Sequence, residues 1–380
     1  MQGVIARGIK TPIIKAFDDL ALVVTNSILE TAKNENFKIN NNDIIAITEG
    51  VVAIADNNFA SVDEVATDIK NKLNYSKHIG VVYPIFSRNR FSIILKAIAR
   101  STDKVTILMP YPFDEVGNPN LAIEQIKDIK LVDDIVENVN LFNEFRHPYT
   151  NVNIIEYYSN IVLEEKKSVE FIFSNNPKVI LNYTKDLILC EVHNRELRKN
   201  EFLNKANVID LSNIMDKPVG KSGFNQKYGL LGANVSTFES LKLFPKEDYQ
   251  LLNKIQEIIL NKTNKHVEVM IFGDGAFKDP SSGIWELADP VVSPFYTKGL
   301  VGSPSEVKIK MLVATKYQHL EGLELEEAIN QEIANKNKNE LEKLGTTPRK
   351  YIDLIGSLAD LIAGSGDKKT PVVLIQNYLK

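Results

Sequence analysis

Residues 43–56 read DIIAITEGVVAIAD, and this stretch decides the class of fold. Between Asp43 and Asp56 the chain is almost wholly Ile, Val and Ala, too apolar and too β-branched for a surface. It reads as a buried strand, or as a pair of strands broken at Gly50. Directly after it, Val62 to Leu73 carries apolar residues at helical spacing. Further outward, Gly80–Ile85, Val105–Met109, Val169–Phe173 and Leu187–Val192 read as strands, and Arg90–Ala99 and Leu121–Val136 as helices. A helix over Lys246–Ile259, with Pro245 near its first turn, leads into the strand His266–Phe272. Glu324–Leu344 reads as a charged helix closed by Gly345, Lys350–Ala363 as a small-residue helix closed by Gly364, and Pro371–Ile375 as a last strand. Strands and helices mix without regular βαβ repetition, which predicts an α+β fold with mixed sheets; an α/β fold is the competitor.

The chain has 380 residues, 44% hydrophobic and 25% charged, enough for two or three domains with real cores. Its formal charge of −4 lacks the basic excess of a protein held to nucleic acid by its overall field, so no nucleic-acid partner is expected. Cys190 is the only cysteine, which excludes an internal disulfide framework and a Cys-cluster metal site. No apolar run approaches the roughly 20 residues that span a bilayer, and Met1–Asp18 lacks a leader-type apolar core. The expectation is a cytoplasmic protein without a membrane partner.

Several motifs fail on inspection. Gly220-Lys221-Ser222 ends like a phosphate-binding loop, but Met215 stands where that loop needs its first Gly. The five histidines, at 78, 147, 193, 266 and 319, share no metal-ligand spacing. Four polar clusters beside turns remain. Ser87-Arg88-Asn89-Arg90-Phe91-Ser92 follows a strand and opens a helix, and reads either as a phosphate or carboxylate site or as a capped helix with solvated arginines. Asp114-Glu115-Val116-Gly117-Asn118 offers two adjacent carboxylates to a hard cation, or is a turn, the favoured of the two. Arg146-His147-Pro148-Tyr149-Thr150 packs a cation, an imidazole and two hydroxyls together, with His147 either a proton acceptor or a hydrogen-bonded structural group. The strongest is Val267–Pro290. Its strand delivers Gly273-Asp274-Gly275 at the carboxyl end, and Asp279, Glu286 and Asp289 follow in the same loop as Trp285. That many acids after a strand point to a divalent metal, the alternative being ordinary turn acids.

Gly8-Ile9-Lys10-Thr11-Pro12-Ile13-Ile14, then Asp18-Asp19-Leu20, then DIIAIT, resemble the opening of the coenzyme F-420 γ-glutamyl ligases. The order continues with Gly229 to Val235, Leu243-Phe244-Pro245, a strand ending at Asp274, and the closing Asp353–Ile375. The resemblance implies an α+β, intertwined homodimer that adds L-glutamate to a carboxylate-bearing acceptor. GTP (or ATP) activates the acceptor carboxylate and Mg²⁺ or Mn²⁺ neutralises phosphate charge. Carried over by position, Thr11, Pro12, Ile13, Ile14, Asn234, Gly364 and Ser365 face the nucleotide, and Asp274, with Asp279 and Glu286 near it, binds metal. Leu231 stands where that family has a metal-binding Asp, Gly275 where it has a hydroxyl ligand, and Glu49 and Ile54 where it has a Ser and a Lys.

On this reading residues 1–75 and 222–380 form a ligase-like core around an inserted α/β region, 76–221. The insert is expected to rebuild what the core lacks. Arg88 and Arg90 would hold an anion, Asp114 and Glu115 a metal, and His147 a proton, all facing the cleft of Asp274. The competing expectations are a different reaction on the same fold and a non-catalytic small-molecule-binding dimer.

Overall fold

The computed structural model describes residues 3–148, 150–273, 276–278, 285–287, 292–304, 307–335, 350–364 and 368–379, the short pieces 276–278 and 285–287 by backbone alone. Two five-stranded sheets organise them. The first has the order Ile5–Ile9, Val372–Gln376, Ile44–Thr48, Glu268–Phe272, Phe295–Tyr296. Ile44–Thr48 lies at its centre, antiparallel to Val372–Gln376 and parallel to Glu268–Phe272. Both faces of that strand are covered. Ile45 and Ile47 pack under the helices Leu20–Asn34 and Tyr249–Thr263, while Ile44 and Ala46 pack under the helix Tyr351–Ala363. A strand buried on two sides has no polar face to show, hence the unbroken apolar run.

The second half of that run is not a strand. Glu49–Ala55 is a helix, with Val52, Ala53 and Ala55 buried. Short apolar runs fit a strand or a buried helix equally well, and here both neighbours of Ile44–Thr48 in the sheet are already taken.

The second sheet lies wholly between residues 78 and 210 and is parallel throughout, in the order Asn207–Asp210, Asp186–Leu189, His78–Val82, Lys104–Met109, Ser168–Phe173. Numbered along the chain and read from the Ser168–Phe173 edge this is 3-2-1-4-5, the doubly wound arrangement, with its switch point between His78–Val82 and Asp186–Leu189. Alternate residues serve its two faces: Val81, Ile107 and Ile188 join one core with the helices Val62–Lys72, Phe91–Ser101 and Ile154–Glu164. Val82, Leu108 and Leu189 join another with Ile180 and Phe202. The regular repetition missing from the sequence is therefore present in space. It is obscured because two crossovers are irregular. Leu121–Val136, expected as a helix, is a short 3-10 turn at Ile123–Asp128 followed by a hairpin whose corner, Asp133-Asp134, has positive φ at both residues. The Asn138 side chain fastens it by accepting from Lys130 N (2.9 Å) and donating to Asp128 O (2.9 Å). The crossover after Ser168–Phe173 is likewise only a 3-10 segment, Pro177–Asn182.

A small antiparallel sheet, Asn234–Thr237, Ser240–Lys242 and Phe59–Ser61, lies between the two. The charged helix runs Gly322–Ala334, and the rest of its expected length lies outside the described residues. The α+β class with mixed sheets stands.

Candidate functional site

A cavity of about 550 Å³ opens at the carboxyl ends of the two parallel strands of the first sheet. Thr48, Gly50, Val51 and Ile54 come from the end of one strand and the helix after it, and Phe272 from the end of the other. Thr11 to Ile14 form a second wall, tied down by Thr11 N–H donating to Lys369 O at 3.1 Å. Asp360, Ala363 and Gly364 close it from the end of the helix Tyr351–Ala363, with Lys369 to Pro371 beside them. Ile13 is 73% exposed at this wall, an apolar side chain spent on the mouth of a pocket rather than on the core.

The walls carry one charged side chain of each sign, Asp360 and Lys369. Lys369 lines the cavity, and Lys368 lies against Gly364, where a Cβ would come within 2.8 Å of Nζ. Gly364 has φ +63°, a conformation suited to glycine. Neither lysine has an ion-pair partner among the described residues. Across the cavity, Lys242 Nζ is 2.9 Å from Glu49 Oε1, in a pair whose side chains are only 15% and 7% exposed. A Cβ on Gly50 would stand 3.3 Å from that Nζ, so glycine lets the ammonium lie close against the backbone that lines the cavity. Asn234 is the ladder partner of Lys242, and paired residues project on the same side of a sheet. Thr11, Pro12, Ile13, Ile14 and Gly364 thus line one cavity, and Asn234 stands beside a lysine at its edge.

Gly273 N donates to Val292 O at 2.7 Å, so the acid-bearing loop departs and returns next to Phe272, on the cavity wall. Asp274, Asp279 and Ser365 lie outside the described residues, as does the side chain of Glu286.

A family model described as F420-0:Gamma-glutamyl ligase matches residues 8–377. The chain belongs to that family. The match runs through the central parallel sheet as well as the first sheet, and γ-glutamyl ligase activity of the F-420 type is the activity the family carries. No curated protein matches the chain. Among the described residues, no helix of the ligase is long and apolar enough to cross a membrane.

The ligase's remaining candidates gather on the carboxyl edge of the central sheet, around Phe86. Asp114 accepts Phe86 N–H at 2.8 Å, the His147 ring meets the Phe86 ring edge-on at 5.3 Å, and Arg88 follows two residues later. Their roles differ from those expected. Both oxygens of Asp114 are occupied: Oδ1 by the N–H groups of Val116 and Asn118, Oδ2 by Phe86 N–H and the Asn118 amide. Burial pushes its carboxyl up to about 6. Glu115 accepts the N–H groups of Val192, His193 and Asn194 at 2.6, 2.7 and 2.7 Å. These two acids fasten loops and leave no oxygen turned to a cation, and no group of three metal-binding side chains occurs among the described residues. His147 is 5% exposed, and its Nδ1 accepts from Thr150 N–H at 3.2 Å, which places a proton on Nε2; it holds a turn. Arg88 is exposed and its side chain has no partner among the described residues, whereas Arg90 stands half-buried at the start of the helix Phe91–Ser101. Arg88, Asp114 and His147 do share one edge. Asp274, the other half of that expectation, is not among the described residues.

Sequence reasoning missed Lys242, Lys368 and Lys369. Lys242 sits in SLKLFP, where a Lys in a strand pattern reads as solvated; its one signal was Glu49, an acid after an apolar strand that needs a buried partner.

Proposed function

We propose that the chain is a nucleotide- and divalent-metal-dependent ligase that joins L-glutamate to a carboxylate-bearing, cofactor-like acceptor, working as a homodimer. The observation that carries this is one cavity gathering Thr11–Ile14, Gly364 and Lys369, with Lys242 against Gly50 and Lys368 against Gly364 beside it, in a chain of the γ-glutamyl ligase family. The chemistry of the walls fits GTP or ATP. Pro12, Ile14, Val51, Ile54 and Phe272 offer apolar surface to a base or a flat acceptor ring, and the lysines offer charge to phosphate. An acceptor carboxylate attacks the γ-phosphate to give an acyl phosphate and the nucleoside diphosphate. The amine of glutamate then displaces phosphate and forms the amide. Lys242, held in place by Glu49, binds and orients the anionic group, and Thr11–Ile14 exclude water from it.

Mg²⁺ or Mn²⁺ would supply charge neutralisation at the transferred phosphate. The described residues do not hold such an ion: Leu231, at the position of a family metal ligand, is 1% exposed among apolar side chains. The acids left to bind one are Asp274, Asp279 and Glu286.

The test is to incubate the protein with L-glutamate, Mn²⁺, GTP or ATP, and either a deazaflavin precursor or a pterin with an acidic tail. The proposal expects nucleoside diphosphate, phosphate and an amide product in equal amounts. Nucleotide binding without amide formation on any acceptor would favour the non-catalytic dimer, which the loss of an acid at Leu231 supports.

A further inference from the structure

Asn234 and Lys242, at the edge of the ligase cavity, are the two ends of one hairpin, and the middle of that hairpin is fastened elsewhere. Its first strand, Asn234–Thr237, is the edge of the small sheet and carries a bulge between Val235 and Thr237. Its second, Ser240–Lys242, lies between that edge and the three residues Phe59–Ser61. A sheet of three short strands with an interrupted ladder is weakly held by its own hydrogen bonds, so contacts from outside decide where it sits.

Those contacts come from the central sheet and its helices. The entry to the hairpin, residues 230–233, covers a crevice of about 60 Å³ at the switch point of the central sheet, with Phe91 and Cys190 on its other walls. Val235 N–H donates to Asn89 O at 2.8 Å. At the tip, Lys96 Nζ donates to Phe238 O at 3.0 Å and to the Glu239 carboxylate, and Arg100 Nη1 donates to Glu239 Oε2 at 2.8 Å. Both cations stand on the helix Phe91–Ser101, which packs on the central sheet. The Phe238 side chain is 91% exposed, so apolar packing does not fasten the tip and the polar contacts do. Arg100 and Lys96 hold the Glu239 carboxyl down at about 2, which keeps it charged at neutral pH.

The base of the hairpin is bound to the ligase side. Lys242 pairs with Glu49 at 2.9 Å, and Leu243 N–H donates to Asn58 O at 2.9 Å. Glu239 stands three residues before Lys242, about 10 Å of strand away. The hairpin is thus a strap with its tip on a helix of the central sheet and its base beside the ligase cavity.

We propose that Glu239, gripped by Lys96 and Arg100, is a positioning residue for the ligase cavity: through the hairpin it sets where Lys242 meets the anionic group of the nucleotide. This rests on the ligase reading, in which Lys242 has that role. A lysine acts on phosphate as a point charge on a flexible stem, so its contribution depends on where the strand holds it.

Glu239→Ala removes the grip without stranding a charge. Arg100 keeps Glu165 at 2.8 and 2.9 Å, and Lys96 keeps the same acid at 3.9 Å. GTP is titrated by calorimetry into the full chain as wild type, as Glu239→Ala, as the double variant Glu49→Gln with Lys242→Met, and as the triple variant. The proposal expects Glu239→Ala to weaken GTP about threefold, within what an exposed ion-pair network supplies. It expects no further loss when Glu239→Ala is added to the double variant, because a group that acts through Lys242 has nothing to act on once that ammonium is gone. A merely structural role would give the same loss in both backgrounds, and that result overturns the proposal. So does a Glu239→Ala protein that binds GTP as wild type does. The double variant tells the two readings apart. Affinity unchanged there contradicts the ligase role of Lys242, whereas affinity that falls there but not in Glu239→Ala contradicts this inference alone.

Discussion

The ligase cavity and the switch-point crevice occupy equivalent places on different sheets, each at the carboxyl ends of two parallel neighbours and each assembled from several segments, yet different polar groups hold them in shape. The cavity draws on residues 11–14, 48–54, 272, 360–364 and 369–371, segments that meet because the C-terminal strand Val372–Gln376 pairs with both Ile5–Ile9 and Ile44–Thr48. The crevice draws on residues 85–94, 190–192, 211 and 230–233, and its loops are fixed to one another by side chains such as Asp114, Glu115 and Tyr158. Charge beside the first is a buried pair, Lys242 with Glu49; charge in the second is Arg90, half-buried at the start of its helix. Polar groups that create a site and polar groups that hold one in shape are therefore different residues, and substitutions should separate them.

The largest effect is expected at Lys242. Lys242→Met leaves the Glu49 carboxylate buried without its cation, which should cost about 3–5 kcal/mol in denaturant unfolding. The double variant Glu49→Gln with Lys242→Met should recover most of that loss. A single variant as stable as wild type would show that the pair carries no weight. Next comes Glu115→Ala in the other region, which strips three N–H groups of their acceptor and should cost about 2–3 kcal/mol. Its hydrogen exchange should rise at residues 192–194 with the ligase cavity unaffected; equal loosening in both regions would erase the distinction drawn here. Gly50→Ala should be milder. Its new Cβ would press on Lys242 Nζ at 3.3 Å, and we expect nucleotide affinity to fall a few-fold with little change in stability.

A further effect is a pH dependence. Burial raises the folded Asp114 carboxyl from 3.8 to about 6, so the folded state holds its proton more tightly than the unfolded chain. That contribution to stability is complete below about pH 4 and is lost as pH rises through 6. Unfolding free energies of wild type and Asp114→Ala should therefore converge or cross on going from pH 4 to pH 7, with the wild type losing ground. A wild type that gains relative to the variant over this range would mean that hydrogen bonding, and not burial, governs this carboxyl.

Much of the fold was legible because burial leaves a simple trace. Ile44–Thr48, Val105–Met109 and the helices Val62–Lys72 and Tyr351–Ala363 stand within a few residues of where spacing put them. Glu49–Ala55 was misread because seven apolar-rich residues show no period long enough to separate helix from strand. The parallel sheet was hidden because one crossover, Pro177–Asn182, lacks a full helix and another runs through a 3-10 turn and a hairpin before its helix Ile154–Glu164, so the βαβ rhythm is interrupted in the sequence. At the sites, Thr11 to Ile14 and Gly364 were reachable only through their shared order with a known family, since nothing local marks them. Arg88, Asp114 and His147 were visible as polar density, but density does not say which oxygens are already in use. Asp114 and Glu115 looked like metal ligands and prove to be fasteners.

The central claim is that the cavity between Thr11–Ile14 and Gly364 holds the nucleotide of a γ-glutamyl ligase. Calorimetric titration of GTP into wild type and into the double variant Glu49→Gln with Lys242→Met tests it most directly, because the variant removes the ammonium beside Gly50 without leaving a buried carboxylate unpaired. The account predicts a folded variant that binds GTP at least tenfold more weakly than wild type. Equal affinity in the two proteins would contradict it.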